Sequence, residues 1–117
     1  MFKKGNVFQE QKERNGWIYG NFMPDGIAHD ERVEIKVAKL DKSFTSKPHH
    51  NKISTKLDII WEGKAVWEVN GEELEMNTGD YLIIPPKTIV CIKKILSDEL
   101  VIQTIRIPSV LDDKVFP

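Results

Sequence analysis

The chain carries a single cysteine, Cys91, in 117 residues. An internal disulfide is therefore excluded, and a lone thiol suits a reducing compartment. Long apolar runs are also missing. Nothing approaches the roughly 18 residues that a membrane-crossing helix needs, and the opening MFKKGNVFQE is too polar for a secretory leader. A cytoplasmic location is the expectation. Neither sign of charge is in excess, with 17 Lys plus Arg against 18 Asp plus Glu. That balance offers no general attraction to nucleic acid or an anionic membrane, and the basic residues are not striped with aromatics. The Gly-rich phosphate loop, the GxSxG elbow and the CxxC pair are absent, which removes three common signatures of catalysis and nucleotide binding. No segment shows a long helical stripe.

What is present is a succession of short apolar runs punctuated by turn residues. Hydrophobic residues make up 40% of the chain, enough for one domain with a core. Residues 1–16 read as an N-terminal arm, in which Gln9–Arg14 has the apolar spacing of only a very short helix. Trp17–Met23 reads as an aromatic-rich strand stopped by Pro24-Asp25-Gly26. In Arg32–Leu40, Val33, Ile35 and Val37 alternate with Glu34, Lys36 and Ala38, so one face is apolar and the other mostly charged. A polar loop over 41–56 leads into a strand at the histidines, and LDIIW (57–61) forms the next one.

The stretch Trp61–Val90 organises the rest. Asn70-Gly71 lies between AVWEV and EELEM, and an Asn-Gly pair is a strong hairpin signal because both turn positions take positive φ. Thr78-Gly79-Asp80 turns the chain again, and YLII ends at Pro85-Pro86, which cannot donate to a ladder. Ile89–Leu96 and Leu100–Ile107 are expected to form a last hairpin around Ser97-Asp98. Residues 108–117 read as a C-terminal strap. Nine or ten short strands predict an all-β barrel or sandwich.

The order of glycines and prolines resembles the cupin superfamily, whose members are double-stranded β-helix (jelly-roll) barrels. Gly79 and Pro85 fall in register with that family's second motif, while Lys87, Val90 and Lys94 take its glycine, histidine and asparagine places. Anchored on Gly63, the first motif falls on His49, Asn51, Lys56 and Gly63. GWIYGNFMPDG with H-x-E-x-VEIK, and IRIPSVLDDK near the end, also resemble a group of small single-domain cupins. Many of those lack the metal-binding histidines. The resemblance implies a barrel over 17–107 in which three of four usual metal ligands are replaced.

By that register His49 and Asn51 point into the barrel and His50 points out, since adjacent strand residues face opposite ways. A catalytic zinc or iron site wants about three protein ligands. An ammonium at Lys56 repels a cation where a carboxylate usually sits. No cofactor is therefore predicted, and a divalent metal held by His29 with His49 is the alternative. Lys56 with His49 and Asn51 suggests a pocket for a polar or anionic molecule, and Val90 and the Trp61 ring complete the candidate ligand-binding set. Aromatics such as Trp17, Tyr19, Phe22, Trp61 and Trp67 line small-ligand pockets, although they fill cores more often.

Candidates for chemistry are Glu34 as acid or base, Lys36 as an anion contact, and His49. The blander reading of Glu34 and Lys36 is a solvated face with a cross-strand ion pair. That of His49 and His50 is a loop edge, and that of Cys91 a buried inert thiol.

The reading that follows is a metal-free cupin barrel binding a polar, anionic or sugar-like small molecule. A metal-dependent isomerase, epimerase or dioxygenase is one alternative, and a non-catalytic dimeric accessory protein is another. A homodimer is expected because LDIIW and YLII are apolar on both faces. The arm or the strap is the expected crossing segment.

Overall fold

The computed structural model describes residues 1–24 and 26–117. The expected turn at Pro24-Asp25-Gly26 therefore lies partly outside the described residues. One helix, α1 (Val7–Arg14), and ten strands follow in order: β1 (Trp17–Tyr19), β2 (Glu34–Asp41), β3 (His50–Asn51), β4 (Thr55–Glu62), β5 (Lys64–Val69), β6 (Glu72–Asn77), β7 (Tyr81–Ile84), β8 (Val90–Ile95), β9 (Glu99–Ile107) and β10 (Lys114–Val115). Five strands form one sheet in the order β1-β2-β9-β4-β7, three form a second in the order β6-β5-β8, and β3 with β10 makes a short ribbon. All pairings are antiparallel. No described helix is long and apolar enough to cross a membrane.

The core lies between the two sheets. Ala38, Ile60, Leu100 and Ile102 from the larger sheet meet Ala65, Trp67, Met76 and Ile95 from the smaller one. Alternation decides which residues enter it. Along β4, Lys56, Asp58 and Ile60 are buried, while Leu57 and Ile59 are half-buried on the other face and Trp61 is exposed. The β5–β6 hairpin turns at Asn70-Gly71 with φ of 49° and 83°, both in the left-handed region that this turn requires.

Three expected elements differ. Strands β8 and β9 do not form a hairpin: β8 pairs with β5 and β9 lies between β2 and β4. The Ser97-Asp98 turn instead carries the chain from one sheet to the other, which apolar alternation on both sides of a turn cannot distinguish. The first strand stops at Tyr19 rather than Met23, because Gly20, at φ 147°, passes so close to Glu34 that a Cβ would sit 2.7 Å from it. The helix starts earlier than its apolar spacing suggests. Asn6 caps it, its side chain accepting from the N–H groups of Phe8 and Gln9 at 3.0 and 3.2 Å.

The arm and the strap each make hydrogen bonds to the barrel of their own chain. The Gln11 amide takes the place of a missing strand, donating to the Lys39 carbonyl at 2.6 Å and accepting from the Lys39 N–H at 2.7 Å. In the strap, the Asp113 carboxylate accepts from the N–H groups of Ile53 and Ser54 at 2.9 Å each, and β10 pairs with β3.

Candidate functional site

The interior face of the larger sheet is built in cross-strand rows. At one end Arg106 sits opposite Glu34 on β2 and Lys56 on β4. Two residues along, Thr104 lies between Lys36 and Asp58, with Trp17 of β1 beside Lys36. Two further on, Ile102 lies between Ala38 and Ile60. The charged face of β2 therefore turns inward, not to solvent. A cavity of about 600 Å³ opens over these rows, lined among others by Lys36, His49, Lys56, Asp58, Val90, Arg106 and Lys114. That volume is in the range of small-ligand sites, roughly 300–1,000 Å³.

His49 is buried, not on a loop edge. Its Nδ1 lies 2.7 Å from the Lys47 carbonyl oxygen, which can only accept, so Nδ1 carries the proton. The lone pair on Nε2 then receives the Lys56 ammonium at 3.3 Å. Burial pushes the imidazole down to about 4, against the pull of the Lys47 carbonyl, and the charges of Lys56, Lys114 and Arg106 lower it further. His49 is thus a neutral acceptor at neutral pH. Burial also lowers the Lys56 ammonium, with Asp58 opposing and Arg106 adding to the shift.

Lys36 stands over the Trp17 ring at 5.3 Å, and Arg106 lies 5.0 Å from the same ring. Burial, then Arg106 and Lys114, bring Lys36 down to about 8. Lys114, delivered to the cavity rim by the strap, is lowered by lost hydration and by Arg106. Asp58 is committed to its neighbours: Thr104 Oγ1 donates to Oδ1 at 2.8 Å and Trp67 Nε1 to Oδ2 at 3.3 Å.

The structure does not bring all the sequence-predicted residues together. His49, Lys56, Val90 and Lys36 share the cavity. Glu34 faces inward but is held behind Arg106. Its carboxylate accepts from Arg106 Nη1 at 3.1 Å and from Ser109 Oγ at 3.0 Å, so its lone pairs serve structure rather than the cavity. Asn51 is buried against a shallower pocket formed with Asp113 and Lys114, because the β3–β10 ribbon turns it aside. Trp61 is 58% exposed on the outer face, donating to Gln103 Oε1 at 3.0 Å; its place in the alternation of β4 excludes it from the interior. His29 is exposed in the loop before β2, with Nδ1 3.1 Å from the Met23 carbonyl oxygen, and does not line the cavity with His49.

Asp58, Thr104, Arg106 and Lys114 also line the cavity, and no local motif marks them in the sequence. The inward alternation of Lys56, Asp58 and Ile60 was the available signal. The apolar look of LDIIW concealed it.

The donor set does not fit a cupin metal. Val90 offers no lone pair, Asn51 faces elsewhere, and the Nε2 of His49 is taken by an ammonium. No group of three or more His, Cys, Asp or Glu among the described residues is placed to hold an ion.

Two facing antiparallel sheets, joined by connections that cross from one to the other and enclosing an interior cavity, are the cupin double-stranded β-helix, and this chain is a small domain of that fold lacking most of the usual metal ligands. Among solved structures it resembles a cupin protein from Bacteroides fragilis at 22% identity and TM-score 0.61, over 66% of this chain and 66% of that one. KdgF from a Halomonas species is similar at 23% identity and TM-score 0.63, over 74% and 77%. An uncharacterized conserved protein with a double-stranded β-helix domain from Klebsiella pneumoniae gives 13% identity and TM-score 0.66, over 73% and 74%. No protein-family model and no curated protein matches the sequence.

Proposed function

We propose that this protein binds a small organic anion in the barrel without a metal, and that it works as a homodimer. One observation carries the ligand: four cationic side chains, Lys36, Lys56, Arg106 and Lys114, line one cavity in which Asp58 is the only lining carboxylate among the described residues, with Glu34 behind Arg106, in a chain whose net charge is −1. Charges are segregated, not merely abundant. Among the described residues only Arg106 of the four has a carboxylate in ion-pair range, and Arg106 Nε is buried without an acceptor. Gathering like charges in a low-dielectric site is unfavourable, and an anionic ligand offsets that repulsion.

Thermal denaturation after chelator treatment tests this reading. Sulfate, phosphate and simple carboxylates are expected to raise the melting temperature, since a ligand at 100 times its dissociation constant adds about 2.7 kcal/mol. Neutral sugars should not, and the anion effect should weaken as salt rises. Stabilisation by divalent metal alone, with no response to anions, would overturn the reading.

For the dimer, the outer face of the larger sheet supplies the surface. Ile105, Leu57 and Ile83 form one outward row, and Gln103, Ile59 and Tyr81 the next. Strand β7 ends the sheet with an unpaired edge, and a second β7 related by a two-fold axis could pair with it antiparallel.

A further inference from the structure

We infer that the anion is an amphipathic carboxylic acid, an acid group on a compact aryl or alkyl body, and not a polyhydroxylated sugar acid. The inference rests on the anion-binding reading above and adds the chemistry of the rest of the ligand. It follows from where the polar groups stop.

The cationic donors are confined to one end of the cavity. Lys56 and Arg106 share the first row, Lys36 the second, and Lys114 enters from the ribbon beside His49. From the Lys56–Arg106 row to the Ala38–Ile102 row is four strand residues, or about 13 Å. Beyond Thr104 the apolar lining is Ala38, Leu40, Phe44, Trp67, Ile92 and Ile102, and the uncharged Gln11, Asn15, Ser46 and Cys91 complete the wall.

Most polar atoms near that end are already engaged, the Gln11 amide both donating to the Lys39 carbonyl and accepting from its N–H. Trp67 Nε1 and Thr104 Oγ1 both donate to Asp58, and Ser46 Oγ accepts from the Ile92 N–H at 2.7 Å. The backbone there is paired within the sheets. A hydroxyl-rich chain reaching this end would leave its water partners with few replacements, whereas an apolar body would be released from water. Asp58, a carboxylate at the boundary, also disfavours a second acid group deep in the cavity.

Four probes separate the outcomes by calorimetry on the full chain: acetate supplies the acid alone, 3-phenylpropanoate the acid with an apolar body, gluconate the acid with a polyol, and 3-phenylpropanol the body alone. The expected result is 3-phenylpropanoate at least ten-fold tighter than each of the other three. Gluconate binding as well as 3-phenylpropanoate would overturn this inference and leave the anion reading standing. The alcohol binding as well as its acid, or no acid binding at all, would remove the anion reading as well. Phe44→Ala, in a half-buried loop position, should narrow the ratio of 3-phenylpropanoate to acetate affinity at least three-fold. An unchanged ratio in a folded variant would count against the assignment of the apolar end.

Discussion

Lys56 and His49 show how much the surroundings of a residue change its chemistry. An ammonium buried to 6% exposure, with no carboxylate in ion-pair range among the described residues, is an unfavourable element of the fold. Lys56→Met is expected to raise stability by about 1 kcal/mol, the relief of charge burial outweighing the hydrogen bond lost at His49. The same change should weaken anion binding at least ten-fold; a stabilised variant with unchanged anion affinity would show that Lys56 has no ligand role. His49 makes the opposite kind of prediction, on acidification. Its folded pKa, about 4, lies below its ordinary value of 6.5, so the unfolded chain binds more protons between those values. Stability should therefore fall as pH drops from about 6.5 towards 4. Chemical denaturation across that window should show a shallower fall for His49→Gln than for the parent.

Among the elements, the turns obey local rules and the pairings obey distant ones. Gly71 needs positive φ but has open space around it, so Gly71→Ala should cost only about 1 kcal/mol, from backbone conformation alone. Gly63 has both problems: φ is 109°, and a Cβ would lie 2.4 Å from the Glu99 carbonyl oxygen. Its replacement by alanine should cost upward of about 3 kcal/mol, because strand β5 could not pass the start of β9 without moving. Urea unfolding of the two variants side by side checks the contrast, and equal losses would show that the close approach matters little. The Asn-Gly dipeptide announces its hairpin because the signal is contained in two residues. The Ser97-Asp98 turn is silent about its destination, since joining two strands of one sheet or of two leaves the same local chemistry.

For the whole molecule the outer sheet face makes the clearest demand. Tyr81 is 67% exposed, Ile83 55% and Trp61 58%, on strands at or next to an open edge. Sedimentation at micromolar concentration is expected to give twice the mass of one 13.5 kDa chain. Ile83→Lys should yield a monomer whose cavity still binds anions, because Ile83 and the cavity lie on opposite faces of the sheet. A parent protein sedimenting as a monomer would remove the dimer from the proposal.

The sequence by itself determined most of the strands, the hairpin at Asn70-Gly71 and the replacement of most usual cupin metal ligands. Each of these is written in residue type, period or spacing. Only the tertiary structure decided that β2 turns Glu34 and Lys36 inward, that Glu34 is then used up by Arg106 and Ser109, and that Trp61 lies outside. Period-two alternation states that two faces differ but not which one meets the opposing sheet. The four cations of the cavity come from β2, β4, β9 and the strap, up to 78 residues apart in the chain (114 − 36), and long-range packing alone brings them to one wall.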